Sequence, residues 1–269
     1  MERDQKRTPL IEAIRRFQDA DPAYFCIPAH KMGRGADEEG LRLLGEAAYK
    51  ADLTEAEGLD DLHDARGAIR EAQELSAALW HSEECFFLIN GSSSGNEAMI
   101  LSCTGPGEKI LIARNAHVSV MSGLILSGAA PVWMKPSRLP GEAIDGPVLP
   151  EEIEKALAEN PECRAVFLTS PTYYGICSRI REISAVCHRR GIPLLVDEAH
   201  GSHLAFSEQI YDSLSGGADL VVQSLHKTGG SMTQSSQLHR QGGLVDRKRL
   251  RDAVRFVSST SPSYVLLSS

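Results

Sequence analysis

Cys85-Phe86-Phe87-Leu88-Ile89-Asn90-Gly91-Ser92-Ser93-Ser94-Gly95-Asn96 begins as an unbroken apolar run and breaks into a turn rich in glycine and serine. It then leads into Glu97-Ala98-Met99-Ile100-Leu101-Ser102-Cys103. The run is short and closed by turn residues, which is how a buried strand reads. Asn96 to Cys103 reads as the helix that follows it. Working outward, the same alternation recurs. Further strands are expected at Lys109 to Ile112, Ala130 to Met134, Ala165 to Leu168, Pro193 to Val196 and Leu220 to Gln223. Helices are expected at Ser119 to Leu126, Pro150 to Glu159 and Ile180 to Arg190. Strands that are apolar throughout and separated by helices imply an α/β fold, with a mostly parallel sheet covered on both faces. Ligands of such sheets bind at the carboxyl ends of the strands.

Upstream, Thr8 to Asp19 carries Leu10, Ile11, Ile14 and Phe17 at helical spacing after a Thr-Pro start, so a first amphipathic helix is expected there. It can pack on the main body or on a second subunit. Ile27 to Gly35 is a loop rich in glycine, proline and basic residues, and Asp52 to Asp64 is an acidic stretch before a helix from Ala65 to Trp80. The expected division is therefore 1–80, helices and loops joining the main body and a dimer interface, and 81–269, the large domain. Val265-Leu266-Leu267 reads as the opening of another helix, and the natural protein is expected to continue beyond Ser269.

At 269 residues the chain can bury a substantial core. A net charge of -8 argues against nucleic acid or an anionic membrane as a general partner, because there is no excess of Lys and Arg to replace counterions. A local cationic pocket for a phosphate is compatible with it. Cys26, Cys85, Cys103, Cys163, Cys177 and Cys187 form no CxxC pair and read as reduced core residues. No metal is expected. The segment after Met1 has no apolar signal region, and no apolar run is long enough to span a bilayer, so the cytoplasm is the expected location.

Four constellations fall at the ends of expected strands. Asn90 to Asn96 can cradle a phosphate on backbone N–H groups and serine hydroxyls at a helix start. The same residues match G-x-S-x-G, so a hydrolase nucleophile at Ser93 and a plain capped helix stay open beside that reading. Leu194 to Gly201 ends a buried strand in Asp197-Glu198-Ala199-His200. It spells the DEAH of helicase ATPases, but the chain has no G-x-x-x-x-G-K-[ST] loop to hold a nucleotide. A strand-end carboxylate can instead hold a pyridine nitrogen protonated, so that the ring accepts electrons; a structural Asp capping the next turn is the bland reading. Val221 to Gly230 places Lys227 beside His226 in a polar turn, in partly buried surroundings expected to lower its pKa and make it an amine nucleophile toward carbonyls. His117, in Arg114-Asn115-Ala116-His117-Val118-Ser119, can lie flat over an aromatic cofactor, with Ser119 as the helix cap.

The order is phosphate turn, stacking His, strand-end Asp, strand-end Lys. It fits one electron-sink cofactor gripped at phosphate, ring face, ring nitrogen and aldehyde. A serine hydrolase would leave Lys227 and its polar turn unexplained.

With these residues placed, the sequence from about Thr8 to its end resembles the major domain of the Orn/Lys/Arg decarboxylase family, in the fold-type-I, aspartate-aminotransferase-like class. The resembling stretches are Ile27 to Gly33, Asn90 to Asn96, Asn115-Ala116-His117, Ser170 to Gly175, Asp197 to Gly201 and Ser224 to Thr228. The resemblance implies pyridoxal 5′-phosphate (PLP) as cofactor in a large domain with a mostly parallel, seven-stranded sheet. It also implies a carboxy-terminal small domain beyond these residues. Lys227 would be the Schiff-base lysine, Asp197 the partner of the ring nitrogen and His117 the stacking residue. Ser92, Ser93 and Ser94, with Ser224 and His226, would hold the phosphate, and Ala199 would pack beneath the ring. Thr172 and Tyr174 would lie near the site. Lys227 or His200 would return a proton to Cα after loss of CO₂. The implied reaction is decarboxylation of arginine, lysine or ornithine to a polyamine-pathway amine. Such enzymes look like obligate dimers or larger homo-oligomers with sites at the subunit interface, where Ala29-His30-Lys31 would serve a neighbouring site. Other PLP reactions (transamination, aldol cleavage, β-elimination) and a PLP-fold binding module without activity are the alternatives. For the distal charge of a basic substrate, the acidic loop with Glu55, Glu57, Asp60 and Asp61 is the available candidate.

Overall fold

In the computed structural model, which describes residues 4–139, 141–208 and 210–269, the expected alternation forms one seven-stranded sheet between helices. In chain order the elements are α1 (Pro9–Asp19), α2 (Glu38–Leu44), α3 (Glu46–Ala51), α4 (Ala68–Leu79), β1 (Glu84–Leu88) and α5 (Gly91–Cys103). They continue with β2 (Lys109–Ala113), α6 (Ser119–Ser127), β3 (Ala130–Met134), α7 (Pro150–Glu159), β4 (Val166–Thr169) and α8 (Ile180–His188). The remainder is β5 (Leu194–Asp197), β6 (Leu220–Gln223), α9 (Leu225–Thr228), β7 (Ser236–Arg240), α10 (Arg247–Phe256) and α11 (Tyr264–Leu267). Part of the opening segment read for targeting, residues 1–3, lies outside the described residues.

The strands lie in the order β1-β7-β6-β5-β4-β2-β3. Only β7 runs antiparallel to its neighbours, β1 and β6. The other pairings, β2 with β3 and β4, β4 with β5, and β5 with β6, are parallel. Both faces are covered, so successive residues of a strand enter different cores. Ile110 and Ile112 of β2 and Phe167 of β4 pack with Met99, Ile100, Leu124 and Leu250 of α5, α6 and α10. Leu111, Val166 and Leu168 turn the other way, onto Ile153 and Leu157 of α7 and Ile183 of α8. Each such side chain, fully removed from water, contributes about 1.5–3 kcal/mol. A third cluster joins α1, α4 and α11 through Leu10, Ile14, Leu59, Ile69 and Tyr264. Tyr264, at the apolar segment expected to open a helix, donates its hydroxyl to the Asp60 carbonyl at 2.7 Å.

β7 and α10 were not expected. Ser236-Gln237-Leu238-His239-Arg240 holds a single aliphatic residue, yet Gln237 and His239 are fully buried. Gln237 can be buried because its amide donates to Gln223 Oε1 at 2.8 Å and accepts from Ser76 Oγ at 2.6 Å. The cysteines are all free, as expected, but of the six expected in the core Cys85, Cys163 and Cys187 are buried, Cys103 and Cys177 are half-buried and Cys26 is exposed.

α5 begins five residues earlier than its apolar pattern, at Gly91. Gly and Ser are weak helix formers, so tertiary contact sets this start. A Cβ on Gly95 would overlap Val222 Cγ2 of β6 and lie 2.8 Å from Leu88 Cδ1 of β1. The helix backbone therefore lies flush on the sheet. Gly95→Ala gains roughly 1 kcal/mol of helix propensity but overpacks a branched core residue at a cost of about 1–3 kcal/mol. A lower urea midpoint is expected; an unchanged or higher one would mean that the packing is looser than described.

Candidate active site

β2 is flanked by β3 on one side and β4 on the other, so the connections diverge there, and such a switch point opens a crevice at the strands' carboxyl ends. A cavity of about 470 Å³ lies at that edge, reached by the segments that follow β1, β2, β4, β5 and β6. From β1 and the start of α5 come Asn90, Gly91, Ser92 and Ser93. Gly91 has φ +69°, and its N–H donates to the Gln234 carbonyl at 2.9 Å. The next amides of α5 have no acceptor inside the helix, and together with the helix dipole they favour an anion. Ser224, the residue after β6, donates its hydroxyl to Ser92 Oγ at 2.8 Å.

β5 delivers Asp197, 3% exposed, to the cavity floor. Its carboxylate accepts from the Ala199 N–H at 3.0 Å and from Asn96 Nδ2 at 2.9 Å. The side chain of Glu198 points the opposite way, accepting from the Ser213 N–H at 2.7 Å and Gln223 Nε2 at 2.6 Å. Burial pushes the Glu198 carboxyl up to about 7, against the pull of those hydrogen bonds. His200 Nε2 lies 3.2 Å from Lys227 Nζ, and the Tyr173 ring stands edge-on to it at 5.7 Å. Burial, and then the Lys227 ammonium, hold the His200 imidazole below its usual range, with Asp197 opposing.

Ser92, Ser93, His117, Asp197, Ala199 and His200, together with His226 and Lys227, thus line one cavity, as their positions at strand ends led us to expect. The structure corrects several details. Ser94 is buried, with its hydroxyl on the Gly91 carbonyl at 2.9 Å, because the next step of about 100° around the helix turns it away from the cavity. Ser224 stands behind Ser92 rather than at the cavity wall. Lys227 is exposed at the cavity mouth, not partly buried, because α9 carries it outward past the end of β6. Ser119 is the first residue of α6 and does not cap it; its hydroxyl faces His117 and Asn96. Thr172 and Tyr174 do not line the cavity, whereas Thr169 and Tyr173 do. Thr172 Oγ1 instead accepts from the Ile176 N–H within its own turn. Among the described residues no histidine hydrogen-bonds Ser93, so the hydrolase reading lacks its base.

Two segments given functional readings lie elsewhere. Asp60 accepts backbone N–H groups from Arg66, Gly67, Ile69 and Arg70, which outweigh its burial and keep it acidic; none of Glu55, Glu57, Asp60 or Asp61 lines the cavity. His30 is held between Asp52, at 3.1 Å, and the Gly33 N–H, at 3.2 Å, in the amino-terminal region. Sequence reasoning also missed Thr169 as the last residue of β4, along with Thr233 and Gln234, which lie in a polar turn without a recognisable pattern.

The family described as Orn/Lys/Arg decarboxylase, major domain, matches residues 8–269. An arginine decarboxylase of Halalkalibacterium halodurans is 41% identical over 98% of the chain, and the match covers 54% of that protein. A lysine decarboxylase structure from Francisella novicida superposes with a TM-score of 0.85 at 25% identity, over 97% of this chain and 39% of that one. Lysine decarboxylase A of Pseudomonas aeruginosa gives 0.84 at 27%, over the same shares. The chain thus spans about half the length of the curated relative and less than that of the solved enzymes.

The Glu198 geometry makes a prediction about pH. A carboxyl at about 7 in the fold and about 4.5 when unfolded keeps a proton that the unfolded chain has released, so its contribution to stability falls as pH rises from about 4.5 to about 7. Glu198→Gln removes that slope, whatever constant offset the altered hydrogen bonds add. Urea midpoints measured across this window should show wild type losing stability relative to Glu198→Gln; parallel profiles would contradict the burial argument.

Proposed function

The chain belongs to the Orn/Lys/Arg decarboxylase family, and on that premise we propose that it forms the PLP-binding part of an enzyme that decarboxylates a basic amino acid, arginine before lysine or ornithine. The observation that carries the reading is the single cavity that gathers Ser92, His117, Asp197 and Lys227 from separate strand ends. The residues fit PLP. Hydroxyls and free amides at the start of α5 suit a phosphate, and a buried carboxylate suits a protonated ring nitrogen. In addition, Asn115 Oδ1 and Thr169 Oγ1, on residues that line the cavity, are buried without hydrogen-bond partners among the described residues. Relatives named arginine decarboxylase, 37–41% identical over nearly the whole chain, favour arginine.

Ser92, Ser93 and His226 would hold the phosphate, with Ser224 behind Ser92. Asp197 would keep the ring nitrogen protonated, His117 would cover one ring face and Ala199 the other, and Lys227 would be the attachment lysine. When bound, PLP supplies an electron sink for the electron pair left by departing CO₂. The chain's own work is to bind, orient and move protons. Lys227 or His200, whose Nε2 lies 3.2 Å from Lys227 Nζ, would return a proton to the substrate's Cα.

The remaining parts of the reading concern assembly and setting. Residues 1–80 would join the large domain, 81–269, to a dimer interface. Beside His117, Val118, Met121 and Ile125 are exposed, an apolar face suited to a second copy in a homodimer or larger oligomer. Among the described residues no helix is long and apolar enough to cross a membrane, in keeping with a cytoplasmic enzyme of polyamine synthesis. Offered PLP with arginine, lysine or ornithine, the protein is expected to release CO₂ and an equal amount of the matching amine, with arginine fastest. Lys227→Ala should lower the rate by a factor on the order of 10³ or more. Keto acid or aldehyde in place of amine would transfer the reading to another PLP reaction.

A further inference from the structure

Asn96 is 1% exposed, and its carbonyl oxygen has no hydrogen-bond partner among the described residues. An orphaned acceptor at such depth costs about 1–3 kcal/mol, so the amide nitrogen on the same side chain must repay a specific need. It donates one hydrogen to Asp197 Oδ2 at 2.9 Å and the other to Ser119 Oγ at 3.0 Å. The amide orientation follows from chemistry, because the reverse would set Oδ1 against a carboxylate oxygen. With Asn96 donating to it, Ser119 Oγ has its own hydrogen left for His117 Nδ1, 2.9 Å away. The Ser119 backbone N–H also points at that nitrogen, at 3.3 Å. Two donors on Nδ1 leave it without a proton and place the ring's hydrogen on Nε2.

The elements are packed to permit this line. Gly95 lets α5 lie on β6, which brings residue 96 to the end of β5. A Cβ on Gly123 of α6 would sit 2.8 Å from Ile100 Cδ1 and 3.3 Å from Glu97 Cα, so α6 approaches α5 closely enough to bring Ser119 to Asn96. We propose that Asn96 and Ser119 are positioning residues: through them the Asp197 carboxylate fixes the orientation of His117 and its Nε2–H tautomer, so that the two groups facing opposite parts of the ligand are set as a unit. This rests on the PLP reading for its purpose, but its geometry exists in the protein alone.

The test is the long-range ¹H–¹⁵N spectrum of His117 at neutral pH in the protein without PLP, where the nitrogen shifts report the tautomer. Wild type should show Nε2–H in excess by about tenfold or more. Ser119→Ala should reduce that ratio roughly two- to tenfold, the worth of one ordinary hydrogen bond, and Ser119→Thr, which keeps the hydroxyl, should restore it. Asn96→Ala should shift the ratio the same way, although residue 96 touches neither ring nitrogen. A wild-type His117 with its proton on Nδ1 would overturn the proposal whether or not any variant folds. Ratios unchanged in Asn96→Ala or Ser119→Ala would also overturn it. Because the spectra need no cofactor, a protein that shows the tautomer but takes up no PLP contradicts the proposed function and leaves this coupling standing.

Discussion

The constraint on which the rest of the structure depends is the closeness of α5 to the sheet. Gly95 leaves no room for a side chain over Val222 and Leu88, and so the helix runs flush on β1 and β6. That one approach sets the height of three things. The first-turn amides and Ser92 face the cavity, Asn96 reaches the end of β5, and Ser92 meets Ser224 from β6. A helix held off by one methyl group would separate the anion-favouring turn from Asp197, which β5 positions, and from Lys227, which α9 positions. The cavity is therefore a product of helix-to-sheet packing as much as of the strand ends that line it.

Legibility in the sequence followed the same physics. β6 was read to the residue, and β2, β4 and β5 to within a residue or so, because both their faces are buried and the sequence must stay apolar throughout; β3, an edge strand with Pro131 and Trp133 exposed, was legible from its apolar run between turns. β7 was missed for the converse reason. Its buried positions hold Gln237 and His239, whose burial depends on partners in α4, β6 and residue 82 that no local pattern announces. The start of α5 was missed because glycine and serine form that helix only against the sheet. The site was legible where a polar residue directly follows an apolar run, as at Asp197, or sits in the polar turn after one, as Lys227 does. It was illegible where a residue acts through a neighbour, as Asn96 does, or where direction matters, as for Ser94, which faces its own backbone.

Buried polarity in this protein is organised into lines rather than scattered. One runs from Asp197 through Asn96 and Ser119 to His117 at the cavity. Another runs from Glu198 through Gln223 and Gln237 to Ser76. Asp197 and Glu198 are adjacent in the chain and point to opposite sides of β5, so each anchors one line. The Glu198 line is satisfied and costs little once formed, the Asp197 line leaves one acceptor, Asn96 Oδ1, orphaned among the described residues, and each specifies one arrangement of the elements it joins. Here they join the cavity-bearing edge of the sheet to α6 on one side and α4 on the other. Against a net charge of -8, the anion site needs no cationic surface, since helix amides and hydroxyls supply the favourable field locally.

The central claim, that this cavity seats PLP on Lys227, is tested most directly by covalent capture. The protein is mixed with PLP, its absorbance recorded, the mixture reduced with borohydride, and the modified peptide identified. The account predicts a violet absorption band that reduction abolishes, with the pyridoxyl group on Lys227 alone. A label distributed over surface lysines, or no band and no label at Lys227, would contradict it.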